Sequence, residues 1–166
     1  MKTNRSIPSA IVIPVLTVED PGAAAAFYVE AFGFVERLRI PPNHRVQMNV
    51  GNGGAVIVCD VRNQKVPPRA DQETHSVMVR VEDAAAHCER ARAAGATILY
   101  EPTDWEYGER QYATLDPFGH RWTFSESRED VDPAVMGAEL LSEGVSWSTG
   151  RRRRCCRPTV AMAARS

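Results

Sequence analysis

The run Val15-Leu16-Thr17-Val18-Glu19-Asp20 returns in altered form as Met78-Val79-Arg80-Val81-Glu82-Asp83. Each copy alternates β-branched residues at the period of a strand and ends in an aspartate able to accept hydrogen bonds from the free amides of a helix start. An alanine-rich stretch follows each time, Ala23 to Tyr28 in the first copy and Ala84 to Cys88 in the second. Pro21 suits a first helical position. The first stretch stops at Gly33 and the second at Gly95, residues suited to a left-handed helix end.

Working outward, strand character resumes over residues 34–38 and 96–100. Two further strands then follow in each half. Residues 45–50 and 54–60 flank Gly51-Asn52-Gly53, and residues 110–116 and 120–126 flank Pro117-Phe118-Gly119. Both separators are built from turn-forming residues. The sequence therefore predicts an α+β fold of two tandem βαβββ modules, about residues 9–60 and 75–127, within one domain spanning 1–127. A linker, 61–74, carries Pro67-Pro68 and is expected to cross the surface. The extension 128–166 has no counterpart in the repeat: Asp132-Pro133 opens a short helix expected to reach Leu141, and the basic run from Arg151 is expected to be disordered.

Composition removes several classes of function. No apolar run approaches the roughly 18 residues of a membrane span, and Pro8, Pro14, Glu19 and Asp20 disfavour a signal peptide, so a cytoplasmic protein without a membrane partner is expected. Residues 1–127 carry 13 basic against 16 acidic groups, which is not the footprint of a nucleic-acid binder. Cys59 lies in a strand pattern and Cys88 in a helix pattern, while Cys155 and Cys156 are neighbours in the tail; neither a disulfide framework nor a CxxC metal site is suggested. No phosphate loop, dinucleotide fingerprint or nucleophile elbow occurs. His120, in the DPFGH segment, reads as a turn residue.

With the repeat in place, "IPVLTVEDPGAAAAFYVEAFGF" (13–34), "RVEDAAAHCERARAAGATI" (80–98) and above all "YGERQYATLDPFGHRWTFSES" (107–127) resemble the vicinal oxygen chelate superfamily, in its glyoxalase and bleomycin-resistance branch. The resemblance implies paired modules whose sheets curl round a cavity, and a homodimer sharing cavities between chains. Metal-dependent members of that family hold a divalent ion through the first and last strand of each module. Here those places fall on Ile13, Val58 (or Ile57), Ser76 and Thr123, and none offers an imidazole or a carboxylate. No metal or other cofactor is therefore expected. His75 precedes Ser76 by one position, and strand alternation turns it away from the cavity unless a bulge intervenes.

The same alternation assigns the lining. Ile13 and Val15 from the first strand, Gln47 and Asn49, Met78, Arg121 and Thr123 are placed on the cavity side, with Trp105 in a loop and Arg110 and Tyr112 on a shared face. An aromatic, polar and cationic wall suits a planar or amphipathic small molecule. The expected function is metal-free binding of an antibiotic or aromatic metabolite by sequestration. The alternatives are a lyase or dioxygenase of the same superfamily, either holding a metal through ligands in another register or turning over without one, with His75 or His120 required for turnover, and a dimeric interaction module whose cavity has closed.

Overall fold

The structure is a computed structural model and describes residues 4–69 and 72–138. Its first module runs β1 (Val15–Thr17), α1 (Pro21–Phe32), β2 (Val35–Ile40), β3 (Arg45–Val50) and β4 (Gly54–Cys59). The second runs β5 (Val77–Arg80), α2 (Ala84–Ala93), β6 (Thr97–Asp104), β7 (Glu109–Leu115) and β8 (Arg121–Ser127). Each forms a four-stranded sheet, ordered β1-β4-β3-β2 and β5-β8-β7-β6, with the first and last strand of each module parallel and the remaining pairs antiparallel. The tandem α+β modules expected from the repeat are present.

The helix starts follow from the aspartates. Asp20 Oδ1 accepts from the Ala23 amide and Asp83 Oδ1 from the Ala86 amide, each at 2.9 Å. Gly33 closes α1 in the left-handed region at φ 70°, and a Cβ built there would lie 2.8 Å from the Arg90 guanidinium. That arginine crosses from α2 to donate to the Glu30 and Val29 carbonyls at 2.6 and 2.8 Å, occupying acceptors that the end of α1 leaves free.

Two boundaries differ from the sequence reading. β6 continues through Pro102 to Asp104, because it is the edge strand of its sheet and proline there removes no ladder bond, while two register shifts absorb the irregularity. The helix begun by Asp132-Pro133 is a single 3₁₀ turn, Pro133–Met136, ended by Gly137 at φ 71°. Leu141 and the basic run lie outside the described residues.

Strand registers set the two faces of each sheet. The row Leu16, Val58 and Val46 and the row Val56 and Met48 turn toward the helices, as do Trp122 and Phe124 of β8. These faces meet in one core. Tyr28 and Phe32 of α1 pack edge-on and tilted against Trp122 at 5.2 and 5.3 Å, and Phe32 lies 4.9 Å from Phe124. Burying such side chains is worth about 1.5–3 kcal/mol each before cavity terms.

At the seam stands Asp116. Its Oδ2 accepts from the Tyr28 hydroxyl at 2.7 Å and from Trp122 Nε1 at 2.9 Å, and its Oδ1 accepts from the amides of Phe118 and His120. The aspartate of the DPFGH turn therefore pins the second module to α1 of the first. A buried carboxylate satisfied in this way ranks among the costlier positions to alter.

Candidate functional site

The opposite faces of the sheets are the open ones. Val15 pairs with Ile57, which pairs with Gln47; Met78 pairs with Thr123, which pairs with Ala113. These rows point away from the helices, and Val15 and Met78 keep 45 and 60% of their surface exposed.

A cavity of about 660 Å³ opens between β1 of the first module, the ends of β6, β7 and β8 in the second, and the linker. Val15, Leu99, Leu115 and the Val66-Pro67-Pro68 run supply apolar surface. Polar groups come from Arg69, Glu73, His75, His120 and Arg121. The linker is thus a wall and not merely a surface crossing: a Cβ on Gly119 would sit 3.3 Å from Pro68. Arg121 reaches Glu73 at 2.6 Å and fastens the linker's far end to β8.

His120 is the deepest ionisable group in this wall, with 5% of its surface exposed. Its Nε2 lies 3.0 Å from the Thr17 carbonyl, which can only accept, so Nε2 carries the proton. Nδ1 is then a bare acceptor, and it has no hydrogen-bond partner. Burial holds the imidazole pKa below its usual value, against the opposing pull of Asp116 and the Thr17 carbonyl; nearby His75 lowers it further. The His75 ring stands 6.3 Å from that of His120, at the cavity wall. The strand-end histidine expected to point away therefore faces the cavity, because it precedes β5 and escapes the strand's alternation.

The residues proposed from sequence do not all meet at the cavity. Val15 and Arg121 line the cavity. Met78 and Thr123 lie on the open face of the second sheet, and Trp105, 43% exposed in the β6–β7 turn, stacks on Tyr107 with ring centres 6.0 Å apart. Asn49 is exposed on the first sheet and Ile13 is half-buried ahead of β1. Gln47 faces the open side too, but only 1% is exposed: its amide donates to the Ser6 carbonyl at 2.8 Å and accepts from Arg37 at 2.6 Å. The segment preceding β1 already fills that position.

Arg110 and Tyr112 are corrected. They do share a face of β7, but it is the helix-packed one, since Arg110 pairs with Glu126 and Tyr112 with Phe124 across the ladder. Tyr112 is fully buried, stacks on Phe124 at 5.2 Å and has its hydroxyl 2.6 Å from His87 Nδ1. Arg110 grips Asp104 through two bonds of 2.6 and 2.7 Å. The reading erred because Gln111 and Ala113, less aromatic than Tyr112, occupy the open face.

Of the places where relatives would carry metal ligands, Val58 belongs to the core and Ile57 takes its position on the open side. Ile13, Ile57, Ser76 and Thr123 supply no charged or imidazole donor, so these residues do not fit a divalent ion. Among the described residues, no three histidine, cysteine or acidic side chains converge as a metal site.

A nearby polar cluster went unnoticed in the sequence. Glu109 accepts from Ser125 at 2.5 Å and from Ser127, and these hydroxyls hold its carboxyl below the usual range. Such a cluster depends on cross-strand register, which no local motif announces.

Paired βαβββ modules with open sheet faces and a cavity beside them define a glyoxalase-type fold. The chain belongs to the Glyoxalase/Bleomycin resistance protein/Dioxygenase superfamily, whose model matches residues 10–124. It is 30% identical over 140 residues to an uncharacterized protein of Mycobacterium bovis, covering 79% of this chain and 92% of that one. TioX from Micromonospora sp. ML1 shares 32% identity and a TM-score of 0.60, over 70% of this chain and 97% of that one. A lactoylglutathione lyase from Agrobacterium tumefaciens has the same fold at 22% identity and a TM-score of 0.55, over 73% of this chain and 96% of that one. No helix among the described residues is long and apolar enough to cross a membrane.

Proposed function

We propose that this protein is a cytoplasmic small-molecule binder that sequesters an antibiotic or an aromatic metabolite without a metal at the places its relatives use. The observation carrying the reading is the cavity beside His120: a volume of about 660 Å³ in which apolar surface from both modules and the linker stands next to charged and imidazole side chains. That combination is the usual character of a ligand pocket. The residue types at Ile13, Ile57, Ser76 and Thr123 support binding over metal-assisted chemistry.

The binder acts as a homodimer. Val15, Met78 and Leu99 are large, exposed and on the open side, a pattern that favours covering by a second copy. A thermal-shift screen of antibiotics and aromatic metabolites on metal-analysed protein tests the reading. Stabilising ligands that act equally with and without chelator support it; stoichiometric metal whose removal abolishes ligand stabilisation contradicts it.

A further inference from the structure

The cavity stops short of the sheet face it opens on. Val15, Ile57 and Gln47 form one cross-strand row on the open side of the first sheet. Of the three only Val15 lines the cavity, and exposure falls along the row from 45% at Val15 to 5% at Ile57 and 1% at Gln47. At the far end lies the segment preceding β1. The Gln47 amide donates to the Ser6 carbonyl at 2.8 Å, and Arg37 Nη2 donates to the Arg5 carbonyl at 2.6 Å. Arg37 is the extra residue where β2 slips register against β3, between the pairs Glu36–Met48 and Leu38–Gln47, and a bulge of that kind re-aims a side chain. Pro8 is buried although Ser6, Ile7 and Ser9 around it are exposed.

The attachment is slight. Residues 5 and 6 are held by side-chain donors and not by a strand ladder. Ile11 and Val12, between Pro8 and β1, keep 65 and 78% of their surface exposed. Segments with so few buried contacts lie at the low end of local stability.

We propose that residues 4–8 are a displaceable strap over a latent arm of the cavity. Docked, the strap ends the cavity at Val15; lifted, it opens the row through Ile57 and Gln47 to Arg37. The strap carbonyls occupy donors that an occupant of the arm would use, so the arm takes a ligand with an apolar body and acceptor oxygens at its far end. The inference rests on the reading of the cavity as the binding site and adds to it a compartment that the strap controls.

The test has two readouts on the full chain. Trypsin cleaves after arginine, and the carbonyl it must attack at Arg5 is the one Arg37 holds. Pro8→Ser weakens the strap without altering the face beneath it, so cleavage after Arg5 should quicken on the order of tenfold as the open population rises. The probe for the arm is 8-anilinonaphthalene-1-sulfonate, whose rings suit the apolar row and whose sulfonate suits Arg37. Fluorescence titration should show it binding roughly fivefold tighter to Pro8→Ser than to the unaltered chain. Adding Arg37→Ala or Val15→Trp to Pro8→Ser should remove that gain. Equal cleavage rates in the unaltered chain and Pro8→Ser overturn the strap. Faster cleavage without tighter probe binding, or a gain that survives both added substitutions, overturns the arm while leaving the cavity's own ligands, read by thermal shift in the unaltered chain, unaffected. Tighter probe binding accompanied by loss of near-ultraviolet circular dichroism also overturns it, since a loosened core takes up the same dye.

Discussion

The Tyr28 hydroxyl donates to Asp116 Oδ2 at 2.7 Å, joining the helix of the first module to the last turn of the second. Both groups are buried, and the carboxylate also receives Trp122 Nε1. Tyr28→Phe removes one donor to a charged acceptor and should cost about 1.5–3 kcal/mol. Asp116→Ala strands the Tyr28 and Trp122 donors and should cost roughly 3 kcal/mol or more. Urea unfolding checks both values. The double variant should cost clearly less than the two single losses combined, because the residues share one network.

Gly33→Ala should destabilise by about 1–2 kcal/mol, since an L side chain pays that much in the left-handed region. The added Cβ also falls 2.8 Å from the Arg90 guanidinium, which must loosen its hold on the end of α1. Arg90→Ala in the same background relieves the clash, so the second substitution should cost less there than alone. Thermal unfolding of the four proteins reads the difference.

Acid should weaken the fold before the carboxylates titrate. His87 and His120 both have pKa values lowered by burial from the ordinary 6.5. The unfolded chain therefore takes up protons more readily in the window just below 6.5, so this stability is present above that pH and is lost as pH falls through the folded values. Glu109 and Glu126, held low by their hydrogen bonds, contribute a second loss further down. Urea midpoints measured between about pH 7.5 and 5 should fall, and His120→Phe should flatten part of that slope.

Tyr112→Phe and Arg110→Ala separate core from cavity. Tyr112 is buried against Phe124 and His87, so losing its hydroxyl should lower the unfolding free energy by about 1 kcal/mol and leave ligand affinity unchanged. Arg110 pairs with exposed Asp104 and should shift neither quantity by more than about 1 kcal/mol. A change in ligand affinity in either variant would return these residues to the site.

The repeat was legible because its signals are local: an aspartate cap, an alanine helix, a glycine stop, then alternating strands. The facing of β1, β5 and β8 was legible too, since Trp122 and Phe124 mark the packed side of β8. β7 was not, because Tyr112 resembles a ligand-stacking residue, and only its pairing with Phe124 reveals the face. The site itself was the least legible part. His120 looks like a turn residue until the fold carries β1 beside it and the Thr17 carbonyl takes its proton-bearing nitrogen. The proline linker lines the cavity together with Gly119, far away in sequence.

The most direct test of metal-free binding in this cavity is the ligand-induced rise in melting temperature of chelator-treated protein, compared between the unaltered chain and Val15→Trp. Metal-free binding in the cavity predicts that the rise survives chelation in the unaltered chain and vanishes in Val15→Trp. A rise that disappears with the metal, or that Val15→Trp retains in full, would contradict it.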